Sequence, residues 1–187
     1  MIHLVIGRQG SGKTLFLVRT AWATHLKGAD VYSNVHLKFD YKELNYHDIV
    51  DCKLTNCMTL LDEVHQLLPA RLSMRKINRE ICDNFLSMAR KQNNEVYGTT
   101  QTLRKVDIRF REEADYIYFC TKYAYANDCW TEVLHSFPLH PNVPIMVKLE
   151  VEETYSGNVI ENFFLGNEFY DKFDTNQIVR VKGLDKI

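Results

Sequence analysis

An α/β fold, in which a mainly parallel sheet is flanked by helices and extended near the C-terminus by an antiparallel hairpin, is predicted by three observations. The apolar run Ile2-His3-Leu4-Val5-Ile6 leads directly into Gly7-Arg8-Gln9-Gly10-Ser11-Gly12-Lys13-Thr14, and a helical pattern follows. Met58-Thr59-Leu60-Leu61-Asp62-Glu63 is an apolar run of strand length that ends in two adjacent carboxylates, as a buried parallel strand with its functional end at one sheet edge would. Ser156-Gly157-Asn158 separates two further apolar runs, 145–151 and 159–165, and signals a hairpin.

The first of these stretches fits G-x-x-x-x-G-K-S/T without a gap, the phosphate loop of a P-loop NTPase fold. Gly7, Gly10 and Gly12 let the backbone turn inward and aim successive N–H groups at phosphate oxygens, and the following helix N-terminus adds partial positive charge. ATP is the expected ligand of Gly7, Arg8, Gln9, Gly10, Ser11, Gly12, Lys13, Thr14 and Leu15. Lys13 is placed to reach the β- and γ-phosphates, and the Thr14 hydroxyl to ligate a Mg2+ ion bridging the same oxygens. In the second stretch Asp62 is expected to share that Mg2+ and Glu63 to polarise an attacking water. A strand that merely ends in a solvated acidic turn is the alternative reading.

At 187 residues, with 45% hydrophobic and 25% charged residues, the chain suits one globular domain. Its core is expected over about 1–123, with the hairpin and a C-terminal extension over about 124–187. No leader pattern precedes the first strand and no run has the length of a membrane span, so a cytoplasmic protein is expected, in the host cytoplasm if viral. Cys52, Cys57, Cys82, Cys120 and Cys129 form no C-x-x-C pair, and Cys52 and Cys57 with His47 match no common zinc spacing, so free thiols are expected. Net charge is −1, yet residues 71–111 carry ten Lys/Arg against four acids, which makes that segment +6 and the remainder −7. A basic middle of this kind lines a polyanion path, supplies arginines to a neighbour's nucleotide site, or is a solvated helix face.

In order, the spacing predicts a helix over 13–27 stopped at Gly28, a short strand at 31–35, and a mixed stretch over 36–57 anchored by Tyr41, Leu44, Tyr46, Ile49 and Val50. After the Asp62 strand, Pro69 closes a turn and 78–92 reads as a helix with Ile81, Phe85, Met88 and Ala89 on one face. Arg90 and Lys91 sit in its last turn, where they complement the helix dipole. Residues 95–101 form a strand ending in Gln101, a side chain able to orient a water or sense a γ-phosphate. A short helix or turn over 106–114 carries Arg109 and Arg111, and an aromatic strand covers 115–120. Pro141 and Pro144 punctuate a loop before the hairpin, and Tyr170, Phe173, Ile178 and Val179 allow the tail to dock.

Gly7 to Leu15, Leu60-Leu61-Asp62-Glu63, the helix ending in Phe85-Leu86-Ser87-Met88-Ala89-Arg90-Lys91, the Thr100-Gln101 strand end and Val106-Asp107-Ile108-Arg109 together resemble the zonula occludens toxin-like (Zot-like) family over roughly residues 1–123. That family includes the assembly ATPase of filamentous phages and looks like a branch of the FtsK/HerA group. The resemblance implies that the Gln101 strand lies between the cradle strand and the Asp62 strand, with Gln101 at the γ-phosphate. It implies an arginine, Arg71, Arg90 or Arg109, acting in an oligomer, often a ring of six. It also implies ATP hydrolysis coupled to DNA translocation, genome packaging or virion assembly in a virus or mobile element, with DNA and viral coat or membrane proteins as partners. The phage proteins carry a membrane span after the ATPase domain, and this chain has none. The other readings of the cradle are a small-molecule or nucleotide kinase and a nucleotide-gated assembly scaffold that never touches DNA.

Overall fold

The computed structural model describes residues 1–72, 76–133, 143–174, 179, 181 and 182. Pro141 of the expected loop, Ile178 of the tail and Arg75 of the basic segment lie outside the described residues. The fold is organised about Ile2–Ile6 (β1), five consecutive buried residues. Ile2, Leu4 and Ile6 enter the core on one face of the sheet and Val5 the core on the other, as the two-residue period of a strand buried on both faces requires.

The remaining strands are Asp30–Ser33 (β2), Lys42–Glu43 (β3), Cys57–Leu61 (β4), Glu95–Thr100 (β5), Tyr116–Ala126 (β6), Cys129–Glu132 (β7), Ile145–Glu153 (β8) and Val159–Leu165 (β9). They form one sheet in the order β3-β2-β4-β5-β1-β6-β8-β9, with β7 paired to β6. Pairing is parallel from β3 through β6 and antiparallel from β6 to β8 and β9. Thus β5 lies between β1 and β4, as the resemblance implied. The hairpin turn has Gly157 at φ 67°, and the antiparallel extension sits at one sheet edge as expected.

Helix Lys13–Leu26 (α1) buries Leu15, Phe16, Leu17, Val18 and Ala21 in the core on one side of the sheet and stops before Gly28, whose φ is 76°. The short helix Tyr46–Val50 (α2) falls inside the stretch expected to be mixed, capped by the Asn45 side chain on the His47 N–H. The other face is covered by Lys76–Glu80 (α3), a π-helical stretch Ile81–Leu86, Ser87–Ala89 (α4) and Ile108–Glu113 (α5), which Asp107 caps.

The π-helical stretch corrects one expectation. Its wider turns carry the buried face through Ile81, Cys82, Phe85, Leu86 and Ala89, so Leu86 is buried and Met88 is 36% exposed. A second correction concerns β6, which runs past Cys120 to Ala126 because β8 pairs with it from Tyr116 to Ala124 and β7 from Tyr123 to Ala126. Strand β7 was not anticipated, and its two-residue turn uses Asn127 and Asp128, both at positive φ.

The tail docks through a bridge between Leu37 and Phe173 and through the Lys182 carbonyl, which accepts the Tyr46 N–H. Among the described residues, no helix is long and apolar enough to cross a membrane.

Candidate active site

The loop after β1 closes on itself before α1 begins. Gly12 caps the helix at φ 95°, a left-handed conformation that a β-carbon disfavours, and a β-carbon there would stand 2.8 Å from Val147 Cγ2. At Gly7 space is the constraint, because a β-carbon would stand 2.3 Å from Ser11 Oγ and 2.6 Å from the Cys120 carbonyl oxygen. Lys13 is buried and its Nζ donates to the carbonyls of Gly7 at 2.9 Å and Arg8 at 3.0 Å. Its ammonium thus lies over the loop. Arg8 and Gln9 are exposed on the outside of the turn, and Leu15 is buried in the first turn of α1.

Because β4 and β1 run parallel on either side of β5, the ends of all three strands meet at the cradle's edge. Asp62 follows β4 there and is 6% exposed. Thr14 Oγ1 donates to its Oδ2 at 3.0 Å, and Thr99 Oγ1 donates to its Oδ1. Asn34, just past β2, clamps the Asp62 backbone in both directions: its Nδ2 donates to the carbonyl at 2.9 Å and its Oδ1 accepts the N–H at 2.8 Å. Burial raises the Asp62 carboxyl above its usual 3.8, and the Glu63 charge pushes the same way. The Thr99 and Thr14 hydroxyls and the Lys13 charge oppose that rise.

Glu63 adopts the left-handed conformation, φ 53° and ψ 51°, which a non-glycine residue holds only when its surroundings impose it. The Thr99 hydroxyl supplies that constraint by accepting the Glu63 N–H at 2.9 Å. The Glu63 carboxylate lies at the end of β5, where Gln101 Nε2 stands 3.4 Å from Oε1. His65 Nδ1 lies 3.1 Å from Oε2, and Lys105 Nζ lies 3.4 Å from Gln101 Oε1. Lys13, Thr14, Asp62, Glu63 and Gln101 are therefore brought together.

A family model described as zonular occludens toxin (Zot) matches residues 39–126, a segment that carries Asp62, Glu63 and Gln101 but begins after the cradle. Over that segment the chain is similar to the Zot family. The N-terminal domain of zonular occludens toxin from Neisseria meningitidis is similar in structure, with TM-score 0.63 and 19% identity over 92% of this chain and 98% of that one. So is the genome packaging NTPase B204 of Sulfolobus turreted icosahedral virus 2, solved with ATP-gammaS, with TM-score 0.58 and 13% identity over 86% and 95%. The DNA-packaging ATPase B204 of Sulfolobus turreted icosahedral virus gives TM-score 0.54 and 14% identity over 86% and 96%. At these identities the likenesses establish the fold. No curated protein sequence matches.

The three arginines singled out in the sequence are not gathered at the cradle. Arg90 lies where β5 and β6 begin, the sheet edge away from the cradle, and is bound to Asp115 and, at 3.2 Å, to the Tyr155 hydroxyl. Arg109 is held by the buried Asp107 carboxylate, with Nε 3.1 Å from Oδ1 and Nη2 3.0 Å from Oδ2, and lies 3.7 Å from Asp83. Arg71, in the 3-10 turn Ala70–Leu72, is exposed and has no ion pair among the described residues.

Three residues at the site went unnoticed in the sequence. Asn34 and Thr99 are polar residues next to or within apolar strands, where a buried amide or hydroxyl must find a partner, and both find it in the Asp62-Glu63 pair. The third is Lys122 on β6, 8% exposed beside the loop.

Proposed function

We propose that this chain is a Mg2+-dependent ATPase that couples hydrolysis to DNA translocation in genome packaging or virion assembly of a virus or mobile element. It acts as a homo-oligomeric ring in the cytoplasm. One observation carries the reading: insertion of β5 between β1 and β4 gathers a phosphate loop, a paired aspartate and glutamate, and a glutamine at a single sheet edge.

The donors available to a metal ion at that edge are the Thr14 hydroxyl and the buried Asp62 carboxylate. This hard oxygen set suits Mg2+ and leaves positions for phosphate and water. Bound there, the ion would neutralise charge on the β- and γ-phosphates. Burial and the neighbouring Glu63 charge disfavour ionised Asp62, and a divalent cation would supply positive charge to offset them. Lys13 exchanges its bonds to the Gly7 and Arg8 carbonyls for phosphate oxygens. Glu63, turned toward Gln101, takes a proton from the attacking water while the Gln101 amide orients it.

Hydrolysis rather than transfer to a metabolite is favoured by Glu63, because a kinase acceptor is a substrate hydroxyl that needs no water-activating acid beside the metal ligand. DNA as partner is supported by the cations of the +6 segment that lack a carboxylate partner among the described residues, Arg71, Arg79, Lys91, Arg104, Lys105 and Arg111. It is also supported by the genome packaging role of the B204 neighbours. Arg71 is the foremost arginine to act on a neighbouring subunit's nucleotide, since Arg90 and Arg109 are already paired with carboxylates.

The test is ATP turnover with and without DNA, together with filter binding of single- and double-stranded DNA over a salt series. DNA-stimulated turnover and a steep salt slope are expected. Turnover indifferent to DNA, with no DNA retained at low salt, would replace the motor with an assembly scaffold. Mixing inactive Glu63→Gln with inactive Arg71→Ala protein should restore partial activity through mixed interfaces, and no recovery would remove Arg71 from the role.

A further inference from the structure

Lys122 has no evident structural reason to be a lysine. Its side chain is buried, with a relative exposure of 8%, yet among the described residues it makes no hydrogen bond or ion pair. Glu132, which lines a cavity of about 420 Å3 with it, forms no ion pair with it. A lysine so enclosed is ordinarily paired, and Met or Leu would fill the position without a charge to satisfy. Burial accordingly lowers the Lys122 ammonium below the ordinary lysine range, opposed only by the nearby Cys120 thiol.

Where the group sits explains what it lacks. Lys122 lines the cavity on the outer side of the loop and also a second one, of about 180 Å3, bounded by Gly12, Lys13, Thr14, Tyr170 and Phe173. It therefore stands against the phosphate loop at the N-terminus of a 14-residue helix, where anions are favoured. The far wall of the smaller cavity comes from the C-terminal extension. Phe173 is fixed by its bridge to Leu37, Lys38 N–H donates to the Lys172 carbonyl at 2.7 Å, and the Tyr170 ring is 37% exposed.

We propose that Lys122 is a second phosphate-binding cation supplied in cis, and that Tyr170 and Phe173 wall the nucleoside end of the same pocket. The C-terminal extension then completes the site for a nucleoside polyphosphate. This rests on the cradle binding nucleotide. Phosphates on the loop would satisfy the Lys122 charge, and the chain leading from the phosphates past Thr14 would lay a flat base beside Tyr170.

Calorimetric titration of the full chain with AMP, ADP and ATP in the presence of Mg2+ tests the proposal, with Lys13→Ala as a control on the cradle itself. Lys122→Met should weaken ADP and ATP by about tenfold or more, and AMP by less, because a charge-assisted bond to the outer phosphates is lost. Its thermal midpoint without nucleotide should match or exceed that of wild type, which a structural lysine would not allow. Tyr170→Ser should weaken all three ligands by a similar factor, about fivefold or more.

If Lys122→Met binds ATP like wild type while Lys13→Ala does not, the proposal is overturned and the cradle reading stands. Absence of nucleotide binding in the wild type would overturn both. Lys122→Gln is the second variant should Lys122→Met not fold, and failure of both to fold would make the lysine structural and overturn the proposal.

Discussion

Acidification should loosen the strand on which the cradle is built, through His3. This residue is 3% exposed in the middle of the sheet, its ring stacked 4.1 Å from Tyr97 on β5 and 5.3 Å from Tyr116 on β6. Nδ1 lies 3.0 Å from the Tyr118 hydroxyl, and Nε2 has no hydrogen-bond partner among the described residues. Burial, with the N-terminal ammonium acting in the same direction, lowers its pKa from 6.5 to about 4, while Asp115 pulls weakly the other way. The folded chain therefore resists a proton that the unfolded chain accepts, so stability is full above pH 6.5 and is lost as pH falls toward 4. The gap between 6.5 and about 4, at about 1.4 kcal/mol per pH unit, amounts to about 3 kcal/mol. In a chain of this size that is about 6–12 °C of melting temperature. The assay is thermal unfolding by circular dichroism at several values between about pH 7.5 and 4.5, for wild type and for His3→Phe, which keeps a ring in the stack. The wild type should fall progressively further behind the variant as pH drops. Parallel curves would show that His3 charges as freely in the fold as out of it, and would refute the reasoning.

Two substitutions probe the cradle's construction. Gly12→Ala forces a left-handed alanine, about 1–2 kcal/mol, and drives its β-carbon against Val147, about 1–3 kcal/mol more, so chemical denaturation should show a loss of about 2–5 kcal/mol. A loss well under about 1 kcal/mol would mean that the loop relaxes freely. Asp62→Asn should raise the melting temperature of nucleotide-free protein at about pH 7 while abolishing the Mg2+ dependence of ATP binding. The folded-state pKa of Asp62 is raised, so its favourable contribution is complete below its unfolded value of 3.8 and is lost as pH rises through the higher folded-state pKa, and the gain in the variant should vanish at low pH. Lower stability of the variant at neutral pH would contradict this.

What was legible in the chain was what local spacing encodes. The cradle needs eight contiguous residues, and the Asp62-Glu63 pair lies at the end of an apolar run of strand length, so both could be read without the fold. Placement of β5 between β1 and β4 came from the resemblance, because nothing in the periodicity of 95–100 orders strands across a sheet. The features that escaped depend on distant partners. Asn34 has meaning only because Asp62 sits 28 residues away. Lys122 lies beyond the aromatic run that marks the strand, and pairing with β8 and β7 carries that strand past the loop. A 3.6-residue period places Met88 on the buried face, and the π-helical turns put Leu86 there instead. The basic segment and the resemblance single out the arginines, and neither reveals that Asp107 and Asp115 hold two of them.

The central claim is that Glu63 activates water for ATP bound on the loop, and single-turnover hydrolysis of Mg2+-ATP by Glu63→Gln tests it most directly. The variant should bind ATP as wild type does and hydrolyse it at least about a hundredfold more slowly, the usual scale of a lost general base, while Lys13→Ala loses most binding or turnover. Wild-type turnover in Glu63→Gln would contradict the account, and would direct the search for the base to His65, whose Nδ1 stands 3.1 Å from the same carboxylate.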